Sequence, residues 1–327
     1  MATVIKDITI ETEPSYGASR TGTQTKLHTI NMTLGLQSNK AYVEDTTNTP
    51  KGYDRITLGP NVVSGTWDGF GSPRNLHYAF EWVNGVAGTS VALGTSQFGI
   101  QMTYNQNTDG RMLSRTVNMD RQNSQEKFSG VAASNLTIKG SNSNIELSMD
   151  LLGQSRLPGV SVAYTLGETV LPYSYADVSV TWNQGASFAS AGNTTLYLSE
   201  WEMTYDNGLE GANLSGSYDI NRVDPKIPTL KGKFKVFHEY GSHSDMAQGA
   251  TQFSLRFQAT LPTVKGSITG GTPYFVRIDV PAAQADVVVK NYKVAEVCVE
   301  EVSWMAEFDA GTSALWTVTQ VVGASNF

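Results

Sequence analysis

Apolar and polar residues alternate with a period of two along much of the chain. Ile145, Leu147, Met149 and Leu151 fall on one side, with Glu146, Ser148 and Asp150 on the other. Phe253, Leu255 and Phe257 alternate with Ser254 and Arg256, and a mixed run begins at Phe275 and Val276 and ends at Pro281. Near the C-terminus Val302, Trp304, Ala306 and Phe308 alternate with Ser303, Met305, Glu307 and Asp309. This is the pattern of antiparallel strands that bury one face. Helical periodicity is scarce: the one short helix expected lies near residues 242–248, with Ser242 or Ser244 as its N-cap and Gly249 as its stop. The polar, glycine-containing stretch 11–24 predicts an extended arm or loop. Residues 104–127, polar around Met112 and Leu113, predict a long hairpin projecting from the body.

Three blocks of the pattern recur at nearly one spacing. Ser64-Gly-Thr-Trp67 opens a strand that runs toward an aromatic cluster at Tyr78, Phe80 and Trp82, and Lys231-Gly-Lys-Phe234 opens a similar one 167 residues later (231 − 64). Residues 133–138 align with 301–306 at 168 (301 − 133). Ile30, Met32 and Leu34 align with Trp201, Met203 and Tyr205 at 171 (201 − 30). These offsets point to two tandem copies of one β-fold. The resulting division is an N-terminal arm at 1–25, a first β-domain at 26–155, a connecting segment at 156–194 and a second β-domain at 195–327.

Composition narrows the function. Only 16% of the 327 residues are charged, and Thr, Ser, Asn, Gln and 31 Gly take their place, which favours strands, turns and a neutral hydrogen-bonding surface. The formal net charge of −7 argues against adhesion to DNA or anionic lipid through a positive field. The single cysteine, Cys298, closes no intramolecular disulfide and reads as a core thiol in the run Val297-Cys-Val299. The opening residues lack a basic region followed by a long apolar stretch, and no window approaches the roughly 18 apolar residues of a membrane span. A soluble chain made in a reducing cytoplasm is expected.

Searches for chemistry return little. The four histidines (His28, His77, His238 and His243) lack the Cys or carboxylate spacing of a zinc site and read as polar surface or loop residues. No nucleophile elbow, phosphate loop or dinucleotide fingerprint is present. Asp219, Asn221 and Asp224 lack the Gly and Glu spacing of a calcium loop. The pairs Glu200/Glu202 and Glu300/Glu301 do not by themselves define a glycosidase. Lys231, Lys233 and Lys235 alternate with apolar residues and read as an edge strand protected by lysine rather than as a nucleic-acid site. No catalytic residue, metal or cofactor is expected.

A family resemblance lies in motif order. Tyr175-Ala-Asp-Val-Ser-Val-Thr-Trp182 precedes Leu196 to Tyr218, which contains the turn Asp206-Asn-Gly-Leu-Glu210. A loop bounded by Pro225 and Pro228, the strand Gly232-Lys-Phe234 and the helix-like segment at Ser242 follow. The first half carries Pro14-Ser-Tyr-Gly17, Ser64-Gly-Thr-Trp67, Phe128-Ser-Gly130, Asn135-Leu-Thr-Ile138 and the run from Ile145 to Gly153. In this order the chain resembles the major tail tube proteins of long-tailed bacteriophages, over most of its length.

The resemblance implies a mainly β chain, with a tail-tube-type β-sandwich or barrel and a short flanking helix. It implies a non-enzymatic virion protein, assembled in the host cytoplasm, whose rings stack into a tube with an acidic channel for DNA. Two copies per chain would make a ring of three pseudo-six-fold; one copy would need six chains. Implied partners are further copies of the chain, a tape measure protein, a tail terminator and transiently passing DNA, with no membrane. Lumen candidates are Glu200, Glu202, Thr204, Asp206, Glu146, Asp150, Glu307 and Asp309; candidates for contacts between rings are Tyr16, Tyr53, Arg111, Met112 and Leu113. The alternatives are a tail terminator, decoration or baseplate protein, and a carbohydrate-binding β-protein using Trp67, Trp82, Trp182 or Trp201, most of which alternation places in the core.

Overall fold

The computed structural model describes residues 5–20, 22, 24–44, 53–85, 87–92, 99–104, 112–121, 124–141, 143–159, 164–165, 171–184, 194–212, 217–237, 252–263, 272–291, 299–308 and 314–323. Among them the chain is mainly β, with one α-helix. Eight antiparallel strands lie side by side in the order Thr29–Glu44, Tyr53–Phe70, Glu146–Gly153, Ser124–Gly140, Leu198–Asp206, Thr229–Phe237, Val299–Ala306 and Phe275–Asn291. Alternation sets the faces: Trp67, Leu147, Ile138, Met203, Phe234 and Val302 are buried, while Asp68, Glu146, Lys139, Glu202, Lys233 and Ser303 point the other way.

Two of these strands, each of 17 residues, serve two sheets. The first half of Ser124–Gly140 pairs with Arg115–Arg121, which pairs with Ile5–Thr12, which pairs with Gln24–Lys26; Ser155–Pro158 lies on its other edge. The first half of Phe275–Asn291 pairs with Phe253–Thr260, then Val178–Gln184, then Thr194–Leu196; Thr317–Gly323 lies on its other edge. The pairing order of the first set therefore recurs in the second.

The irregularities recur as well. Register slips at Ser134, between the pairs Ala133↔Leu151 and Asn135↔Asp150. It slips again at Asp286, between Ala285↔Trp304 and Val287↔Ser303, 152 residues on (286 − 134). A second slip falls between Arg115↔Val131 and Val117↔Phe128, and its counterpart between Phe253↔Ala283 and Leu255↔Val280. Pro281 sits inside that second bulge, where a missing N–H costs no ladder bond, so the strand passes through the proline instead of ending there.

These registers equate Gly65 with Gly232 (232 − 65 = 167): Gly65 opposes Leu34 and Leu151, and Gly232 opposes Met203 and Trp304. The other two sequence alignments shift. Residues 301–306 correspond to 148–153, and Leu34 corresponds to Met203, at 169 (203 − 34).

The helix Pro73–Asn84 lies where the alternation had predicted a continuing strand. Its start is set by Ser72, whose hydroxyl oxygen accepts from the Asn75 N–H at 3.2 Å, and by Pro73; Gly85 ends it at φ 69°. All its residues but Glu81 are buried, because it lies against both Ser124–Gly140 and Thr317–Gly323. Trp82 donates to Val131 O at 2.8 Å, Phe80 meets Trp316 edge-on at 5.6 Å, and Gln320 donates to Pro73 O. Tyr205 stacks on Trp316 at 4.7 Å, so one core continues from the first set of strands into the second.

Other expectations also change. Ile5–Thr12 is a body strand with Ile8 and Ile10 buried, so the polar arm begins only after it. Arg115–Arg121 is an inner strand carrying the fully buried Val117 and Met119, not part of a projecting hairpin. Phe308 lies past the end of its strand and is exposed. His77 is a buried helix residue rather than a surface one. Residues 242–248, His238, His243 and Cys298 lie outside the described residues.

Two stability predictions follow from this packing. A Cβ on Gly65 would stand 1.6 Å from the Thr33 carbonyl oxygen, whereas one on Gly35 would meet nothing within 4 Å. Gly65→Ala should therefore cost about 1–3 kcal/mol in urea unfolding, with Gly35→Ala close to wild type; equal costs would contradict the close approach. Burial is the main cause that lowers the His77 pKa to about 4; Arg115 and Arg74 also lower it, and Glu81 partly opposes them. The unfolded chain then takes up this proton first, so stability falls as pH drops from about 6.5 to about 4, by roughly 3 kcal/mol. His77→Asn should flatten that part of the stability–pH curve.

Candidate functional site

The solvent-facing side of the eight-strand sheet brings the expected lumen residues together. Glu200, Glu202, Thr204 and Asp206 occupy one face of Leu198–Asp206, and Glu146 and Asp150 join them from Glu146–Gly153. Rows of side chains cross the strands. Thr33 and Thr66 share a hydrogen bond at 3.0 Å, Asn135 donates to Asp150 at 2.6 Å, and the Thr137 and Thr204 hydroxyls meet at 2.9 Å. Ser148 donates to Asp68 at 2.6 Å. Glu307 lies past the strand end, where its N–H donates to Ala282 O and its carboxylate accepts from Gln252. Asp309 lies outside the described residues.

The acids on this face are interleaved with lysines. Lys139 pairs with Glu146 at 3.0 Å, Lys233 with Glu202 at 3.5 Å, and Lys235 bridges Glu200 and Glu301. The Glu200 carboxylate, first through its hydrogen bond, raises the Lys235 pKa. Thr229–Phe237 is thus an inner strand, paired on both sides, and its lysines answer the acids of its neighbours instead of guarding an edge. Each such pair is exposed and contributes at most about 1 kcal/mol, so the pattern sets the surface's charge more than its stability.

The strands Ser124–Gly140 and Leu198–Asp206 form the junction between the two sets, with Trp201↔Gly140, Met203↔Ile138, Thr204↔Thr137 and Asp206↔Asn135 in register. A Cβ on Gly140 would lie 2.5 Å from Trp201 Nε1, so the missing side chain makes room for the indole. Asn207 locks the end of this ladder. Its backbone N–H donates to Ser134 O at 3.0 Å, and its side-chain amide donates to Ala133 O and Val83 O, both at 2.9 Å. From there the hairpin of Glu210–Ala212 and Arg222–Asp224 folds back over the first set, and Ile220 and Val223 pack on Ala132.

The candidates for contacts between rings divide. Tyr16 and Met112 are half-buried against that same hairpin, so part of their apolar surface is used within the chain. Leu113 is also half-buried, with its N–H on Gly85 O at 3.1 Å. The Tyr53 side chain and Arg111 lie outside the described residues. A cleft of about 750 Å³ opens beside Tyr16, Met112 and Val223. At its base the buried Glu13 accepts from Ser114, Thr116 and the N–H groups of Gly17 and Gly130. Burial, and then the charge of Glu13, raises the Tyr16 pKa. Of the aromatics weighed as sugar platforms, Trp67, Trp82 and Trp201 are buried and Trp182 packs on Phe253.

Sequence reasoning missed Asn207 as the lock and the hairpin 210–224 as a clasp. The Asn207-Gly208 pair signals a turn, but the carbonyls that its side chain reaches lie more than seventy residues away. The family described as phage tail tube protein matches residues 8–306. No curated protein matches the chain.

Asn207→Ala should leave two buried carbonyls without their donor and cost about 1–3 kcal/mol, read as a lower urea midpoint at unchanged slope. An unchanged midpoint would remove Asn207 from the junction's support.

Proposed function

We propose a specific role from one premise: the chain belongs to the phage tail tube protein family, and so is a structural protein of the virion tail that self-assembles into a tube. The chain is two tandem copies of one β-unit, near 5–158 and 178–323, and three chains make a pseudo-six-fold ring. The observation that carries this reading is the repeated pairing order with its repeated bulges at Ser134 and Asp286. Similar bulges occur by chance; the same bulge at the same rung of the same ladder order is a mark of copying. Strand Val178–Gln184 belongs with the second copy by its pairing, which moves the boundary ahead of residue 195. The 167-residue spacing that equates Gly65 with Gly232 also carries Pro73–Asn84 onto 240–251, which spans the one short helix that the sequence predicts, near 242–248.

The eight-strand sheet lines the tube, its solvent-facing rows of Thr, Ser, Asn and paired charges turned to the lumen, and rings stack through loops at the sheet's ends. The tube encloses a tape measure protein during assembly, ends on a terminator and passes DNA during ejection. A wall whose lysines are neutralised by adjacent acids offers phosphates no cluster of free cations, so little counterion is released and DNA slides without sticking. The chain's net charge of −7 adds a weak repulsion.

Electron microscopy of the purified protein, with a tail-initiation complex supplied if needed, tests the assembly. Hollow tubes built from rings of three chains are expected; persistent monomers would overturn the role. The channel is tested by Glu146→Lys with Glu202→Lys, which sets four lysines together with Lys139 and Lys233. Tubes of this variant should retain double-stranded DNA at low salt and release it as salt rises, while wild-type tubes retain little. Equal retention would contradict the sliding wall.

A further inference from the structure

The in-chain junction is a template for a junction that one chain cannot make with itself. Among the described residues, Thr29–Glu44 has one ladder partner, Tyr53–Phe70, and residues 287–291 have one, Val299–Ala306. The sheet therefore ends in two unpaired edges. They differ from ordinary protected edges: Val287 and Val289 are 48% and 47% exposed and β-branched, with no lysine or proline on that face to discourage pairing. Among the described residues no ladder joins the two edges.

The internal correspondence says what covers them. Ser124–Gly140 maps onto Phe275–Asn291 at 152, as its two bulges require, and Thr29–Glu44 maps onto Leu198–Asp206 at 169 (203 − 34). In the chain, Ser124–Gly140 is closed by Leu198–Asp206, with Asn135↔Asp206, Leu136↔Tyr205, Thr137↔Thr204 and Ile138↔Met203. Moving each partner by its own offset gives the counterpart. We infer that the Val287–Asn291 edge is closed by the Thr33–Gln37 edge of a second copy of this chain, antiparallel, with Val287 opposite Gln37, Val288 opposite Leu36, Val289 opposite Gly35 and Lys290 opposite Leu34. The inference rests on the tube reading and adds the partner strand and its register.

The surfaces fit. Val288 is half-buried at the rim of the core and Leu36 is 38% exposed at the other rim, so the pairing completes the core across the joint. Val287, Val289, Gly35 and Gln37 all fall on the solvent-facing side, continuing the rows described above. A Cβ at Gly35 meets nothing within 4 Å, which leaves room for the exposed Val289 side chain opposite. Lys290, half-buried, is held at 3.3 Å by Glu300, which is 1% exposed, so its charge is compensated before the edges meet.

Disulfide trapping reads this register directly. The template pair for Val289 and Gly35 is Thr137 and Thr204, whose hydroxyls touch at 2.9 Å, and directly opposed residues in antiparallel ladders lie within disulfide reach. In full-length protein with Cys298 replaced by serine, Val289→Cys with Gly35→Cys, and separately Val287→Cys with Gln37→Cys, are assembled, imaged and then oxidised. Both pairs should link chains into species that end at a closed covalent trimer. Each single-cysteine chain alone should stay unlinked in denaturing gels, as should the out-of-register pair Val287→Cys with Asn31→Cys. Val287, Val289, Gly35, Gln37 and Asn31 are all solvent-facing, so the variants test contact rather than folding. Tubes that form but link through neither in-register pair, or link equally through the out-of-register pair, overturn the register and leave the tube role standing. Linked species longer than three chains support the register and overturn the three-chain ring. No self-association before oxidation overturns both.

Discussion

Everything in this architecture hangs on a strand that must belong to two sheets. Ser124–Gly140 pairs with Arg115–Arg121 over its first half and with Glu146–Gly153 and Leu198–Asp206 over its second. A straight ladder cannot do this, because both halves would stay in one surface. The extra residue at Ser134 bends the strand and shifts the side-chain parity on which the core depends, so that Leu136 and Ile138 face inward as Val131 and Ala133 do before the bend. A bulge also frees backbone groups from the ladder, and here they find other uses. The Ser134 carbonyl accepts the Asn207 N–H and its hydroxyl donates to Asp150 O. The irregular position is thereby the anchor of the joint between the two sets of strands.

The exposed face is built on a different principle from the buried one. Inside, aromatic rings meet at fixed geometry, as with Trp201 on Phe257 at 5.2 Å and Tyr205 on Trp316 at 4.7 Å, and shape decides what fits. Outside, Thr, Ser, Asn and paired charges satisfy one another along rows that cross the strands, and no single pair contributes much stability. What such a face gains is a surface with its cations already answered. Lys139, Lys233 and Lys235 each have a carboxylate within 4 Å, which is the arrangement a passing polyanion would find least adhesive.

The strands were legible because a half-buried sheet writes its period into the sequence. Leu147, Met149 and Leu151 are inward as the alternation requires, and Phe253, Leu255 and Phe257 likewise. The 167-residue spacing was legible through the Gly-x-aromatic strand opening, since a core-facing glycine under a neighbouring strand is hard to replace. The helix was not read, although Ser72, Pro73 and Gly85 mark both its ends. Arg74, His77, Glu81 and Asn84 stand at helical spacing, but Tyr78, Phe80 and Trp82 also fit a period of two and imitate a strand. His77 was misplaced for the same reason. The lysines of Thr229–Phe237 looked like edge protection because the acids that answer them lie on other strands, some thirty to seventy residues away.

In the tandem arrangement we propose, the two kinds of joint have different tasks. The joint inside the chain never separates, so its effective concentration is high and it can diverge from its counterpart. Here Trp201 lies over Gly140, whose missing side chain makes room for the indole, and Asn207 with the strands Glu210–Ala212 and Arg222–Asp224 clasps the far side. The outer edges face the opposite demand. In the proposed ring they must stay soluble on a free chain and still close when a second copy arrives, which disfavours large aromatics and favours small β-branched residues such as Val287 and Val289 beside an open Gly35. A chain with one copy would have to satisfy both demands with a single pair of edges. Splitting them lets half of the joints be permanent and tightly packed while the other half remain reversible, and this is the physical advantage we assign to the repeat.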